Sequence, residues 1–260
     1  MPTLAAMSRC RLVQQPSVGF DVIDHRAAAE LGIPVANAAG YNRDSVADWT
    51  VMAILNLVRQ GALSDRAMRQ GDWPFQRVRG RELGAMTVGI VGVGNTGNAV
   101  ATRLRPFGSR LVFTDVVPRS LPGAVPLPLD DLLAEADVVT LHVPLDDTTR
   151  GLIGDAQLRR MRPGAYLINA SRGPVVDEAA LVRALDAGHL GGAGLDVFEV
   201  EPLPAESALR GFENVFLTPH AAALTDEAES RLLDVCGANL RRVMQGLEPF
   251  NVVNGVTLRR

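Results

Sequence analysis

The sequence has little cysteine, no block of like charge and no long uninterrupted apolar run. Its two cysteines, Cys10 and Cys236, show neither metal-ligand spacing nor a disulfide framework, so a reducing cytoplasm is the expected compartment. The longest apolar stretch, around Val51 to Val58, is too short and too interrupted to span a bilayer. No apolar segment precedes a cleavage site near the N-terminus, so no secretion signal is expected.

The charge balance argues against a nucleic-acid partner, because the formal net charge is −3 and positive residues are not clustered. With 260 residues, 47% apolar and 21% charged, the chain is typical of a globular protein of one large domain or two modest ones. Neither a membrane nor a nucleic acid is therefore an expected partner.

From Thr87 onward, short apolar runs alternate with helical segments, and glycine or proline stands at nearly every junction. This alternation predicts an α/β fold with a parallel sheet, because parallel strands need crossover connections. The predicted strands are Thr87–Val91, Arg110–Thr114, Asp137–Val143, Ala165–Asn169, Gly192–Val197 and Val215–Leu217. The predicted helices between them are Thr96–Arg105, Leu129–Glu135, Asp155–Met161 and Glu178–Ala187.

The two ends of the chain predict a second, smaller α/β domain. Short strands at Arg11–Gln15 and Pro34–Ala36 flank a helix near His25–Leu31. A helix at Val46–Val58 is apolar almost all round, which is typical of a buried helix. The expected arrangement is a doubly wound α/β domain from 80 to 220 and a second domain built from 1–79 and 221–260.

Two details of the flanking helices are also predicted. Asn42, Asp44 and Ser45 are N-cap candidates for the helix at Val46–Val58. The C-terminal helix, Thr225 to Gln245, is amphipathic. Its predicted inner face consists of Leu232, Leu233, Val235, Leu240 and Val243.

The segment GIVGVGNTGNAV carries a Gly92-x-Gly94-x-x-Gly97 pattern between a predicted strand and a predicted helix. In that position the pattern predicts a dinucleotide site, since the glycines allow a tight turn, close approach of a pyrophosphate and close helix packing. Backbone N–H groups and the helix N-terminus are expected to hold the pyrophosphate. The residues that share this role are Gly92, Gly94, Asn95, Thr96 and Gly97.

Asp115 ends the next predicted strand and is expected to accept a hydrogen bond from the adenosine ribose 2′-OH. A 2′-phosphate would meet like charge there, so NAD is favoured over NADP. Arg119 lies four residues further on, and because of its positive charge NADP stays the less favoured alternative coenzyme.

Polar side chains follow three of the predicted strands at their carboxyl ends, where parallel α/β sheets bind ligands. They are Arg172, Asp196 with Glu201, and His220. A guanidinium can bind a carboxylate bidentately, and an imidazole oriented by a carboxylate can exchange a proton with a carbonyl oxygen. This set suits hydride chemistry on a 2-oxo acid. Glu199 stands in the same loop as Glu201 and is the alternative partner of the histidine.

Several segments together resemble the D-isomer-specific 2-hydroxyacid dehydrogenases. They are GIVGVGNTG…FTD, HVPLDDTTRGLI, NASRGPVVDEAAL, GLDVFEVEP and LTPH, and the likeness extends to SVGFDVIDHRAAAELGIPVANAAG and FNVVN. The resemblance implies a Rossmann domain for NAD and a flavodoxin-like substrate domain. It also implies a homodimer that uses helices such as Ser45–Gln70 as arms.

The resemblance assigns a role, position by position, to each of the polar residues at the carboxyl ends of the strands. Arg172 matches the substrate-orienting arginine, Glu201 the partner of the histidine, and His220 the acid/base. Asp196 matches the residue that contacts the nicotinamide carboxamide. Residues that match positions lining the coenzyme are Val143, Pro144, Ala170, Ser171, Arg172 and His220. Ser17, Val18 and Gly19 match a loop that offers backbone N–H groups to the substrate carboxylate.

The chain departs from the family at its start, because the first strand–helix–strand portion of the family's substrate domain has no counterpart in this sequence. A misassigned or truncated start, reliance on a dimer partner and a degenerate gene remain as explanations. An NAD-sensing regulatory protein on the same fold is therefore the alternative to an enzyme. The motifs do not select among 2-oxo acids such as glyoxylate, hydroxypyruvate and pyruvate.

Overall fold

The computed structural model describes residue 6 and residues 9–258. Of these, the residues up to Ser45 and from Ala223 onward form one compact unit, and Val46–Ala222 forms the other. We call them the small unit and the large unit. Among the described residues, no helix is both long and apolar enough to cross a bilayer.

Short strands and helices alternate along much of the chain. The strands are β1 (Val13–Gln14), β2 (Val35–Ala36), β3 (Thr87–Val91), β4 (Arg110–Thr114), β5 (Ala124–Pro126), β6 (Val138–Leu141), β7 (Tyr166–Asn169), β8 (Gly192–Leu195) and β9 (Val215–Leu217). The helices are α1 (His25–Glu30), α2 (Arg43–Val58), α3 (Gly61–Arg69), α4 (Asn95–Leu104), α5 (Leu129–Glu135), α6 (Asp155–Arg160), α7 (Glu178–Asp186) and α8 (Asp226–Met244).

The large unit is built on one parallel sheet of seven strands in the order β5-β4-β3-β6-β7-β8-β9. Its apolar core lies between the sheet and the helices, and the strand centres are buried on both sides. The strand order reverses between β3 and β6, and the crevice at such a reversal is where open α/β sheets bind ligands. The predicted doubly wound α/β fold is confirmed.

The small unit contains a parallel pair, β1 with β2, and the connecting helix α1. Ala28, Ile33 and Val35 form its buried centre. Residues from the far end of the chain complete it, since the Asn254 side chain accepts a hydrogen bond from the Val35 N–H at 3.0 Å. The predicted assembly from both chain ends is therefore present as a small parallel sheet with helices.

The boundary between the units differs from the predicted one, because residues 46–79 group with the large unit. The reason is packing of α2 on the sheet: the Gly194 position of β8 faces Ala53 and Leu57, and the Trp49 ring stacks on Phe216 of β9. An apolar helix buries its surface on the nearest apolar sheet face. The assignment of the units to coenzyme and substrate stays a prediction.

Two predicted details of the flanking helices are wrong in part. Helix α2 begins at Arg43, so Asp44 and Ser45 lie in its first turn and are not N-caps, whereas Asn42 directly precedes the helix. On α8, Leu233 and Leu240 are 66% and 54% exposed, whereas Asn239 is fully buried. Its amide nitrogen and oxygen both have partners, because it donates to Gln14 Oε1 and the Phe250 carbonyl and accepts from the Phe250 N–H. A satisfied amide can be buried at low cost, which a hydropathy pattern does not reveal.

One of the observed strands was not predicted from the sequence. Strand β5 has only three residues, lies at the edge of the sheet beside β4, and ends in Pro126. Proline is tolerated in an edge strand because the missing N–H faces away from the ladder. The segment LPGAVPLP has the composition of a loop, and only pairing with β4 makes it a strand.

Candidate active site

The glycine-rich turn after β3 has the form that a pyrophosphate requires. Gly92 has a φ of +87°, and a Cβ there would lie 2.7 Å from the His142 carbonyl oxygen. A Cβ on Gly97 would lie 2.1 Å from the Gly92 carbonyl oxygen, so α4 can approach β3 only with glycine at this position. Gly94 instead faces open space, with no atom within 4 Å of a built Cβ. The turn therefore leaves room for a ligand at the N-terminus of α4.

The different surroundings of Gly94 and Gly97 predict different effects of alanine. We expect Gly97→Ala to destabilise the protein by about 1–3 kcal/mol, because the Gly92 backbone has to move. Gly94→Ala should leave the melting temperature unchanged and weaken NADH binding by about tenfold or more, because its methyl group fills ligand space. Thermal unfolding and a fluorescence titration with NADH measure the two effects. Equal melting temperatures for the two variants would contradict this assignment.

Asp115 follows β4 and lies beside the turn. Its Oδ2 accepts the Val93 N–H at 2.9 Å, and its Oδ1 accepts the Val117 N–H at 3.1 Å. The Arg119 guanidinium lies 3.4 Å from Oδ2. A cavity of about 310 Å³ is lined by Asp115 and Arg119 together with apolar residues of β4, β5 and the adjoining loops. The size and position suit the adenosine end of a dinucleotide at the carboxyl edge of the sheet.

His142 directly follows β6, beside the glycine turn. Its ring Nε2 is 3.0 Å from Thr140 Oγ1, and its backbone N–H donates to the Val91 carbonyl at 2.8 Å. Burial lowers the pKa of its imidazole to about 4, so the ring is neutral near pH 7. A neutral imidazole is a poor proton donor near pH 7, so we expect His142 to take no part in proton transfer.

The low pKa of His142 predicts a loss of stability in acid. The imidazole has a pKa near 6.5 in the unfolded chain and about 4 in the folded protein. The free energy of unfolding therefore keeps its full contribution from this group above pH 6.5 and loses it as the pH drops toward 4. Between pH 7 and pH 5 the loss from this group is at most about 2 kcal/mol. Urea unfolding of wild type and His142→Gln at both pH values checks it. A wild type that loses no more stability than the variant would refute the lowered pKa of this ring.

The segment that carries Arg172 is organised by Asn169, the last residue of β7. The buried Asn169 amide donates to the Arg172 carbonyl at 2.9 Å and accepts from the Ser171 N–H and hydroxyl at 3.0 and 2.7 Å. The Arg172 Nη1 also donates to the Ser171 carbonyl at 2.8 Å. Ala170 and Ser171 are thereby held half-buried at the sheet edge. Asn169 was not singled out in the sequence, although a buried polar residue at a strand end is a signal.

Gly173 brings the Arg172 segment against the loop after β8. A Cβ at Gly173 would lie 1.8 Å from the Phe198 carbonyl oxygen and 2.5 Å from the Glu199 N. Only glycine permits this contact, because any side chain would overlap the backbone. The same loop continues to Glu201, so the contact ties the arginine segment to the segment of the acidic residue.

Glu201 and His220 form a hydrogen-bonded pair. The His220 Nδ1 lies 2.7 Å from Glu201 Oε2, while Glu201 Oε1 accepts the Phe198 N–H at 3.0 Å. The side chains are 34% and 48% exposed, respectively, so the pair faces solvent at the sheet edge. Glu199 was the alternative partner of the histidine, but the carboxylate beside His220 is that of Glu201. The backbone N–H of Glu199 donates to Glu178 Oε2 at 3.2 Å. A carboxylate on Nδ1 leaves Nε2 as the nitrogen available to a ligand.

Asp196 holds the turn on which His220 stands. Its buried Oδ1 accepts the Thr218 hydroxyl at 2.5 Å and the Ala221 N–H at 2.8 Å, and Oδ2 accepts the Ala222 N–H at 2.9 Å. Its carbonyl also accepts the His220 N–H at 2.8 Å. His220 has a φ of +54°, a conformation that non-glycine residues adopt only when their surroundings hold it. Thr218, which the sequence patterns did not single out, is part of this support.

The remaining predicted positions lie at the sheet edge and in the small unit. Val143 and Pro144 follow β6 at the carboxyl edge, with Val143 half-buried and Pro144 exposed. Ser17 to Gly19 lie in the small unit in a compact loop, where Ser17 Oγ donates to the Gly19 carbonyl at 2.6 Å. The Asn37 amide fixes this loop by donating to the Val18 carbonyl at 2.7 Å. The predicted role of Ser17 to Gly19 in substrate binding stays a prediction.

Comparison with known proteins identifies the chain's relatives. The sequence model described as "D-isomer specific 2-hydroxyacid dehydrogenase, NAD binding domain" matches residues 51–222. A glyoxylate reductase from Korarchaeum cryptofilum is 41% identical over 257 residues, which are 96% of this chain and 77% of the relative.

Solved structures of similar fold include enzymes described with either coenzyme. An NADPH-dependent glyoxylate/hydroxypyruvate reductase from Sinorhizobium meliloti, in complex with NADP and malonate, has a TM-score of 0.92 and 34% identity, covering 100% of this chain and 82% of its own. A D-lactate dehydrogenase from Aquifex aeolicus, complexed with NAD and lactic acid, has a TM-score of 0.86 and 35% identity, covering 94% and 79%. The chain belongs to the D-isomer-specific 2-hydroxyacid dehydrogenase family.

Proposed function

We propose that this protein is an NAD-dependent oxidoreductase that interconverts 2-oxo acids and (D)-2-hydroxy acids. The observation that carries the proposal is the Glu201–His220 pair, at 2.7 Å, on the same sheet edge as Arg172. A proton donor oriented by a carboxylate and a guanidinium for a substrate carboxylate are what reduction of a 2-oxo acid requires. The family and its named relatives support the same reaction.

The proposed mechanism assigns one task to each side chain. The nicotinamide coenzyme, when bound, supplies or accepts the hydride at substrate C2. Arg172 binds the substrate carboxylate and polarises the neighbouring carbonyl. His220 gives a proton from Nε2 to the carbonyl oxygen during reduction and takes it back during oxidation. Glu201 holds Nδ1, which fixes the ring orientation and stabilises the protonated imidazole.

Residues around the crevice are proposed to hold the coenzyme. The turn and the start of α4 bind the pyrophosphate through backbone N–H groups. Asp196 Oδ1 already accepts two hydrogen bonds, whereas Oδ2 accepts only the one from the Ala222 N–H. The acceptor position left on Oδ2 suits the nicotinamide carboxamide. Side chains and backbone proposed to line the coenzyme are Val143, Pro144, Ala170, Ser171, Arg172 and His220.

NAD is proposed as the preferred coenzyme because Asp115 stands at the adenosine end. Its carboxylate is 11% exposed and held by two backbone N–H groups, so it is fixed beside the cavity. A ribose hydroxyl can donate to it, whereas a 2′-phosphate would approach a like charge.

A homodimer in the cytoplasm is the proposed state of the protein. Aromatic side chains are exposed after α3, with Trp73 at 74% and Phe75 at 79%, and such exposure is typical of an interface. Met52 and Met68, on α2 and α3, are also about half exposed. Light scattering on the eluted protein tests the dimer, and a monomeric mass would contradict it.

The reaction is tested by NADH oxidation at 340 nm with a panel of 2-oxo acids, including glyoxylate, hydroxypyruvate, pyruvate and bulkier acids. We expect saturable turnover with at least one of them. Nicotinamide fluorescence gives NADH binding independently of turnover. Binding of NADH without oxidation by any acid in the panel would contradict the proposed enzyme.

A further inference from the structure

We propose that Thr218 is a positioning residue of the active site, whose hydroxyl holds the Asp196 carboxylate and, through it, the turn that carries His220. The inference rests on the proposed function, because it takes His220 as the acid/base and Asp196 as a contact of the nicotinamide carboxamide. It adds that one hydroxyl sets the place of both groups, although it touches neither substrate nor coenzyme.

Asp196 is the centre of a buried set of hydrogen bonds after β8. The residue is 1% exposed, and its carboxylate accepts the Thr218 hydroxyl at 2.5 Å and the backbone N–H groups of Ala221 and Ala222 at 2.8 and 2.9 Å. The two N–H groups belong to the residues that directly follow His220. The carboxylate therefore fixes the backbone on the C-terminal side of the histidine.

Backbone carbonyls hold His220 from the other side. The His220 N–H donates to the Asp196 carbonyl at 2.8 Å and to the Thr218 carbonyl at 3.1 Å. These contacts support the left-handed backbone of His220, whose φ is +54°. The direction of the imidazole, including its hydrogen bond to Glu201, thus depends on where Asp196 and Thr218 lie.

The Thr218 hydroxyl is the side-chain donor among the three that the carboxylate accepts. The backbone of Thr218 is fixed separately, because its N–H donates to the Leu195 carbonyl at 3.0 Å. Valine would place a methyl group 2.5 Å from Asp196 Oδ1, where the hydroxyl now lies. A methyl group requires about 3.5 Å, so the carboxylate would have to move by about 1 Å. A displacement of that size in an active site can lower the rate by about 10²-fold.

Exchanges of Thr218 separate the hydroxyl from the rest of the side chain. We expect Thr218→Val to lower kcat by about 10–100-fold, with KM for the 2-oxo acid within about threefold of wild type. KM is spared because Asn169 holds the Arg172 segment independently. Thr218→Ser keeps the donor and should recover kcat to within about threefold of wild type. Thr218→Ala removes the donor without a clash and should lower kcat as well, so the test does not depend on the folding of the valine variant.

Binding of NADH and of ADP-ribose isolates the nicotinamide end of the site. ADP-ribose has the adenosine and the pyrophosphate but no nicotinamide. In Thr218→Val the dissociation constant for NADH should rise by about tenfold, whereas that for ADP-ribose should stay within about twofold of wild type. Nicotinamide fluorescence gives the first constant and calorimetry the second.

Thr50→Val is the matched control. Thr50 is a fully buried threonine of α2 whose hydroxyl donates to the Val46 carbonyl at 2.7 Å, so this exchange removes a buried hydroxyl elsewhere in the large unit. It should leave the kinetic and binding constants unchanged. Melting temperatures show whether each variant keeps the fold.

The ring signals of His220 in a nuclear magnetic resonance spectrum need neither substrate nor turnover. The chain has four histidines, so the His220 signals can be assigned as those absent from His220→Ala. We expect Thr218→Val to shift these signals, and Thr218→Ser and Thr50→Val to leave them in place.

The outcomes separate this inference from the proposed function. The positioning role is overturned if Thr218→Val keeps kcat within about threefold of wild type, if serine does not restore what valine loses, or if NADH and ADP-ribose are weakened equally. A wild type that binds NADH but reduces no 2-oxo acid removes the proposed reaction. The His220 signals and the selective loss of NADH then decide the positioning role by themselves.

Discussion

Replacing His220 with alanine is expected to lower kcat by about 10²–10⁴-fold, the usual contribution of a positioned acid/base group. The imidazole is the proton donor beside the proposed substrate site, and its Nδ1 is already engaged by Glu201 at 2.7 Å. The dissociation constant for NADH should stay within about threefold of wild type, because the glycine turn and Asp115 are untouched. Steady-state rates and nicotinamide fluorescence measure both quantities.

Glu201→Gln is the companion variant. The amide keeps the size of the side chain and can still contact Nδ1, but it no longer stabilises the protonated ring, so kcat should fall less than in His220→Ala. His189→Gln is the matched control, since His189 precedes β8, at the opposite edge of the sheet from the pair, and its Nε2 contacts the Leu158 carbonyl at 3.0 Å. A His220→Ala enzyme with more than about a tenth of wild-type kcat would remove His220 from the mechanism.

Arg172→Lys should reduce kcat/KM for the 2-oxo acid by about 10²–10³-fold, although the positive charge is kept. Lysine cannot form two parallel hydrogen bonds to a carboxylate, so the substrate loses its orientation toward the hydride and toward His220. The backbone of this segment is fixed by Asn169, which keeps the exchange local. Kinetics with varied 2-oxo acid at saturating NADH measure the loss.

Arg159→Lys is the control for this exchange. Arg159 is an exposed arginine on α6 that pairs with Asp155, and its replacement should leave kcat/KM unchanged. The account of Arg172 fails if Arg172→Lys keeps kcat/KM within about threefold of wild type, or if only the binding of NADH is lost.

Much of the large unit could be predicted because its signals are local. The glycine pattern, Asp115 and the apolar runs of β3 and β4 lie close together in the sequence, and each carries its own conformational reason. The strands Thr87–Val91, Arg110–Thr114 and Val215–Leu217 are observed with the predicted bounds. Arg172, Glu201 and His220 are candidates because polar residues at the carboxyl ends of parallel strands share an edge.

The features that were missed depend on contacts between distant parts of the chain. Strand β5 exists only through its pairing with β4, and Asn239 is buried only because Gln14 and Phe250 satisfy its amide. The support of His220 by Asp196 and Thr218 joins the ends of β8 and β9. Periodicity reports which faces are apolar, but not which polar group will find a partner across the fold.

Hydride transfer to C2 of a 2-oxo acid, with (D) stereochemistry, is the step that defines the proposed enzyme. The most direct measurement uses NADH deuterated at nicotinamide C4 and the 2-oxo acid most rapidly reduced among those that give a chiral product, followed by mass spectrometry and chiral chromatography. We expect the (D)-2-hydroxy acid, with deuterium at C2 from one of the two C4-labelled forms of NADH. A product of the opposite configuration, or one without deuterium from either C4-labelled form of NADH, would contradict it.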